Sequence, residues 1–130
     1  MPEGYKLVGV DADSIQLRIF AHLCEDDRLI AAISRGRKED KSDIHHLNKD
    51  IIGLICTTRE VAKTYIYALL LGAGLAKQAS ILDCTKHEAS QALKRILDYY
   101  PGWKKLISGR LSQEGERGYI ECLDGRYLPL

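Results

Sequence analysis

Thr58-Arg59-Glu60-Val61-Ala62-Lys63-Thr64-Tyr65-Ile66-Tyr67-Ala68-Leu69-Leu70-Leu71-Gly72 is the stretch on which the reading of this chain turns. Thr57 or Thr58 is placed to cap a helix whose core side carries Ala62, Ile66 and Leu69 or Leu70. Gly72 and Gly74 end or bend it. Arg59, Lys63 and Tyr67 follow one another at intervals of four. Each step of four turns the helix by about 40°, so the three share roughly 80° of arc. Two cations and an aromatic ring on one stripe suit a triphosphate gripped by charge with a base stacked on the ring. The common alternative is a solvated face with Tyr67 at its edge.

Upstream, Ser42 to Ile52 reads as a helix containing His45-His46. Adjacent helical residues point about 100° apart, so the pair is unsuited to chelating one ion. One of these histidines donating a hydrogen bond to a phosphate stays open. Arg35 to Lys41 is a charged, solvated loop, and Asp27 to Ser34 a short helix stopped by Gly36. Ile15, Ile19 and Leu23 recur at helical spacing behind a cap at Asp13 or Ser14. Tyr5 to Val10 is an apolar run expected to form a buried strand with Asp11 at its carboxyl end. A carboxylate so placed is a rigid oxygen ligand of the kind magnesium takes between protein and phosphates. An aspartate in Asp-Ala-Asp-Ser is also a common turn or cap residue.

Downstream, Thr85 and Glu88 have capping-box spacing for a helix through Tyr99. Pro101-Gly102 breaks it, and Trp103 to Ser112 starts another. Gly118 to Cys122 and Arg126 to Leu128 flank Leu123-Asp124-Gly125, a hairpin signal. Strand, many helices and hairpin make the expected class α+β. Lys104, Lys105, Arg110 and Arg117 form a loose basic cluster suited to a phosphate backbone or simply to solubility.

Bulk properties set the frame. A chain of 130 residues fits one domain or part of a larger one, and 45% apolar with 28% charged residues argues against disorder. The net charge of +1 gives no global pull on nucleic acid, so any such site rests on local clusters. Cys24, Cys56, Cys84 and Cys122 contain no Cys-x-x-Cys pair, which disfavours zinc and leaves reduced thiols as the expectation. Met1-Pro2-Glu3-Gly4 lacks the pattern of a signal peptide, and the longest apolar run, Ile66 to Leu71, is too short to cross a bilayer. The expectation is a soluble intracellular protein without membrane partners. Leu128-Pro129-Leu130 looks like a strand interrupted just past its turn.

Taken in order, these pieces resemble family A DNA polymerases of the bacterial DNA polymerase I type. Val10-Asp11-Ala12-Asp13-Ser14-Ile15-Gln16-Leu17-Arg18, continued by Ala21-His22-Leu23, is similar to that family's first palm motif. Asp43-Ile44-His45 resembles the tripeptide before the fingers helix, and Arg59 to Tyr67 with Gly72-Ala73-Gly74 resembles the O helix. Tyr100-Pro101-Gly102, Gly118-Tyr119 and Leu123-Asp124-Gly125-Arg126 match later landmarks. The Thr64-Tyr65-Ile66-Tyr67 wording is closest to phage replicative polymerases.

The resemblance implies a truncated right-hand polymerase fold over residues 1–130, in which a palm strand and a hairpin flank a mostly helical fingers segment. Residues 1–25 would start the palm, 26–115 would form the fingers with the O-helix-like segment 58–72, and 116–130 would return to the palm. It implies Asp11 and Lys63 as catalytic residues, with Asp11 and the Ala12 carbonyl as magnesium ligands in a two-metal site. It also implies Arg59, Lys63 and His45 on the triphosphate of an incoming dNTP, and Tyr67 on its base and sugar. Gln16 would lie beside the sugar, and Gly72 and Arg126 at primer-template DNA. Two positions depart from the pattern: Gln16 replaces the family's glutamate, and Leu71 its tyrosine before the helix-ending glycine. The His-Asp-Glu motif that carries the second metal-binding aspartate is not among these residues. Catalysis would therefore need a second polypeptide or further N- and C-terminal segments. A catalytically inactive nucleotide- or DNA-binding remnant, and a helical scaffold, are the alternative readings.

Overall fold

The computed structural model describes residue 4, residues 6–122 and residues 124–130. Tyr5 and Leu123, one in the expected strand and one in the hairpin turn, lie outside the described residues. The order is α1 (Ile15–Cys24), α2 (Asp27–Arg35), α3 (Ile44–Ile52), α4 (Arg59–Leu70), α5 (Leu75–Leu82), α6 (Lys86–Tyr99), α7 (Pro101–Leu106), α8 (Ser112–Arg117), β1 (Tyr119–Glu121) and β2 (Tyr127–Pro129). A π-helical turn, Ile107–Leu111, joins α7 to α8 without a break in helical backbone.

Side-chain caps start four of the eight α-helices among the described residues. Asp26 accepts from the amides of Arg28 and Leu29, Asp43 from those of His45 and His46, and Thr58 from that of Val61. Thr85 and Glu88 complete the expected capping box. Pro101 stands in the first turn of α7, where its missing N–H costs nothing. The side-chain cap expected at the start of α1 does not form. Ser14 occupies the cap position in a left-handed conformation, φ 53°, and caps nothing with its side chain. Its hydroxyl donates back to Asp13 instead, 3.2 Å away.

The core gathers one face of each of several helices. Leu17 of α1, Leu29 of α2, Ile52 of α3, Tyr65 and Ile66 of α4, Ile96 of α6 and Trp103 of α7 are buried together. A fully buried side chain of this size contributes roughly 1.5–3 kcal/mol. Phe20 meets Trp103 edge to face at 4.7 Å between centroids. The buried hydroxyl of Tyr100 donates to Asn48 at 2.9 Å, tying the end of α6 to α3. Tyr65 donates to Gln78 at 3.3 Å, and Gln78 to the Ala73 carbonyl at 2.7 Å, which sets the angle between α4 and α5.

A second junction joins the α1–α2 turn to the start of α7. The Gly102 amide donates to Asp26 Oδ2 at 2.9 Å, and Arg28 donates to the Tyr99 carbonyl at 3.1 Å. A Cβ on Gly102 would overlap the Cys24 carbonyl and sit 2.8 Å from Asp26 Cβ, so only glycine fits this approach.

The α+β class holds, with the strand content in the terminal hairpin. Its antiparallel register pairs Tyr119 with Pro129, Ile120 with Leu128 and Glu121 with Tyr127. Two expectations need correction. Lys6 to Val10 forms no strand among the described residues, and Val8 and Val10 are 81% and 94% exposed. A strand needs a partner ladder, and no described segment supplies one beside it. In α1 the buried face is Leu17, Ala21 and Cys24, while Ile15 and Ile19 of the periodic set face outward.

Candidate nucleotide site

The site forms where the start of α3 meets the start of α4. Asp43 Oδ1 accepts from the amides of His45 at 2.8 Å and His46 at 3.2 Å. Its Oδ2 lies 3.0 Å from Arg59 Nε and 2.9 Å from His46 Nδ1. Burial acts to raise the Asp43 pKa, but the hydrogen bonds from Arg59, His46 and the two amides outweigh it and hold the carboxyl well below the usual range. Asp43 is therefore a fixed anion.

His45 is 4% exposed, and its Nδ1 has no hydrogen-bond partner among the described residues. Burial first, and then the Arg59 charge, lower its pKa to about 4, so the imidazole is neutral at pH 7. These residues border a cavity of about 240 Å³ lined also by Asp13, Ser14, Arg18, Lys38 and Lys63. Arg18, Lys38, Arg59 and Lys63 outnumber Asp13 and Asp43 there, so the cavity is electropositive.

Tyr67 lies further along α4, half-buried, with its ring centroid 6.1 Å from that of His45. It faces a second, apolar cavity of about 290 Å³ shared with Gln16, Ile19, Phe20, Leu23, Leu70 and Leu71. The Arg59–Lys63–Tyr67 stripe thus runs from a charged cavity to an apolar one. It is not an evenly solvated face. Lys63 is exposed, whereas the Arg59 side chain keeps only 18% of its surface and is paired with Asp43. The α4 periodicity could not show that α3 covers this end of the stripe.

The structure brings together Arg59, Lys63 and His45, and separately Tyr67 and Gln16. Asp11 and Ala12 lie exposed on the segment before α1 and line neither cavity. Arg126 is exposed and bound to Asp124 at 2.7 Å in the hairpin turn. Gly72 is exposed after α4 at φ 78°, with open space around its Cβ position. Of the basic cluster, Arg110 is engaged by the buried Glu114 at 2.8 Å and by the Glu121 carbonyl at 3.0 Å, which takes it out of a free patch. Sequence reasoning gave no site role to Asp43, Arg18 or Lys38. The signal for Asp43 was its place in the Asp43-Ile44-His45 tripeptide.

The residues present do not fit a complete two-metal centre. Among the described residues no three His, Cys, Asp or Glu side chains converge, and Asp11 stands apart from Asp13 of the charged cavity. No helix among the described residues is long and apolar enough to cross a membrane.

Comparison with known proteins extends over the same residues. The model of DNA polymerase family A matches residues 1–130. Relatives include the thermostable DNA polymerase I of Thermus thermophilus and the DNA polymerase I of Pseudomonas aeruginosa. Each is 33% identical over 98% of this chain, which covers 16% and 14% of their lengths, respectively. Among solved structures, the POL domain of Pol1 from M. smegmatis in complex with DNA primer-template and dNTP superposes with a TM-score of 0.74. It is 25% identical over 92% of this chain and 21% of that one. The chain therefore spans about one-seventh of the length of the curated relatives it matches.

Proposed function

Because the chain belongs to DNA polymerase family A, we propose that it is the nucleotide-handling part of a DNA-directed DNA polymerase, taking up dNTP against primer-template DNA. The observation that carries this reading is the electropositive cavity in which Arg59, Lys63 and His45 meet beside the apolar cavity of Tyr67 and Gln16. Phosphates suit the first and a base and sugar suit the second. On this reading residues 1–25 and 116–130 belong to a palm and 26–115 to fingers.

Arg59 and Lys63 hold the phosphates, Arg59 through the planar edge of its guanidinium and Lys63 as a mobile point charge. His45, neutral and buried, adds one hydrogen bond. Tyr67 stacks on the base, and Gln16 sets the fit of the sugar with an amide in place of a carboxylate. Gly72 and Arg126 lie along the DNA. Asp11 and the Ala12 carbonyl are this chain's contribution to a magnesium site whose other ligands come from polypeptide beyond residues 1–130.

The test is titration of the chain with deoxynucleoside triphosphate. Arg59→Ala and Lys63→Ala should each lose affinity worth about 1.5–3 kcal/mol, the range of a charge-assisted contact. Lys63→Ala should leave stability within about 0.5 kcal/mol because Lys63 is exposed. Arg59→Ala should also lower stability, because it strands the buried Asp43 carboxylate. Unchanged affinity in both variants would reduce the cavity to a structural ion-pair site.

A further inference from the structure

We propose that Asp43 is a positioning residue for triphosphate capture, its carboxylate aiming the Arg59 guanidinium into the charged cavity; the proposal rests on the nucleotide-binding reading above. Two observations carry it. First, the carboxylate is immobilised. Oδ1 is held by two amides of the first turn of α3, and the side chain is only 12% exposed. Second, its other oxygen takes Arg59 by Nε, at 3.0 Å, and not by the terminal nitrogens.

A guanidinium is planar, so binding at Nε fixes the plane and leaves its end edge, with two NH₂ groups, for another anion. Glu60 reaches Nη1 only at 3.6 Å, beyond hydrogen-bonding range. The same carboxylate fixes the His45 amide, so one side chain sets the relative position of two phosphate-contacting residues on different helices. Arg59 then reaches a ligand with its side-chain freedom already lost, which lowers the entropic cost of binding. Asp43 also offsets part of the positive charge of the cavity, and its effect on the orientation of Arg59 outweighs that loss.

Asn is as good a helix cap as Asp. Asp43→Asn therefore keeps the start of α3, but its amide turns a donor or a weak neutral acceptor toward Arg59 Nε. Arg59→Lys keeps the charge and removes the Nε–H, leaving the α3 cap untouched. The experiment titrates parent, Asp43→Asn, Arg59→Lys, Arg59→Ala and the Asp43→Asn/Arg59→Ala double variant with dATP and magnesium. Thermal melts and the Arg59 Nε–H proton resonance are recorded without ligand.

The expected result is an ordered Nε–H signal in the parent, lost in Asp43→Asn. Affinity should fall about tenfold in Asp43→Asn and in Arg59→Lys. Asp43→Asn should melt close to the parent and cause no further loss in the Arg59→Ala background. Equal or tighter dATP binding by Asp43→Asn would make Asp43 a competitor of the phosphates and overturn the proposal. An equal loss in the Arg59→Ala background, an affinity loss matched by a collapsed melt, or parental affinity in Arg59→Lys would overturn it as well. In those cases a parent that still binds dATP leaves the nucleotide-binding reading intact. A parent that fails to bind dATP while its Arg59 Nε–H is ordered overturns that reading and the proposal with it.

Discussion

His45 carries into the fold an imidazole that has left water without gaining a partner at Nδ1 among the described residues. Its pKa of about 4 lies below the unfolded value of 6.5, so between these pH values the unfolded chain binds a proton that the folded chain does not. Stability from this residue is complete above pH 6.5 and is lost as pH falls toward 4, by roughly 3 kcal/mol in all. Asp43, with a depressed pKa, adds a separate loss at lower pH, below the ordinary carboxylate range. Denaturant melts of the parent and His45→Gln should differ in slope over pH 4–6.5 and run parallel above it. Identical profiles would place His45 in water. The cation stripe itself was legible, because residues four apart must share a helix face. Its partial burial was not, because the partner of Arg59 lies sixteen residues earlier on another helix.

Helix starts were the most readable elements, because caps are local. Thr85 with Glu88 before α6 and Thr58 before α4 each declare themselves within four residues, whereas the cap of α3 at Asp43 lay inside the expected helix. Thr85→Ala should cost about 1 kcal/mol, seen as a lower urea midpoint with an unchanged m-value. No loss would mean that α6 is held by packing alone. Gly102→Ala should cost about 1–3 kcal/mol, since its methyl must push apart the α1–α2 turn and α7. Stability equal to the parent would contradict the close approach. The helix α5 was not foreseen, because it begins at Gly74 without a side-chain cap. The expected first strand failed for the opposite reason. An apolar run states only that a segment prefers burial, and pairing depends on a neighbour no local pattern can specify.

At the scale of the molecule, apolar surface stands open along Leu7, Val8, Val10, Ile15 and Ile19 and again along Tyr127, Leu128 and Leu130. The α+β class and the helical middle were legible from periodicity and turns, whereas what covers these ends was not. The carboxylate supply is equally partial. Two divalent ions about 4 Å apart repel by roughly 16 kcal/mol at a dielectric of about 20, and Asp11 alone is a small offset. Purified chain with magnesium, primer-template and all four deoxynucleotides should therefore extend no primer. Extension abolished by Asp11→Ala, with contaminating polymerase excluded, would show that the chain completes an active site by itself.

The bond from Gly102 to Asp26 ties residues 76 apart in sequence, while α3 to α6 pack in near succession. In time, this sets an order of assembly. Short loops close first, and the ring that brings α7 onto the α1–α2 turn closes against the larger loop entropy. Opening that ring is then the first step of loosening, and α1 with the segment carrying Asp11 would detach before the α3–α4 pair comes apart. Gly102→Ala should speed unfolding by roughly 5- to 160-fold, the whole of its cost, and leave the refolding rate nearly unchanged, a φ-value near zero. A φ-value near one in stopped-flow chevrons would put the ring in the folding nucleus instead.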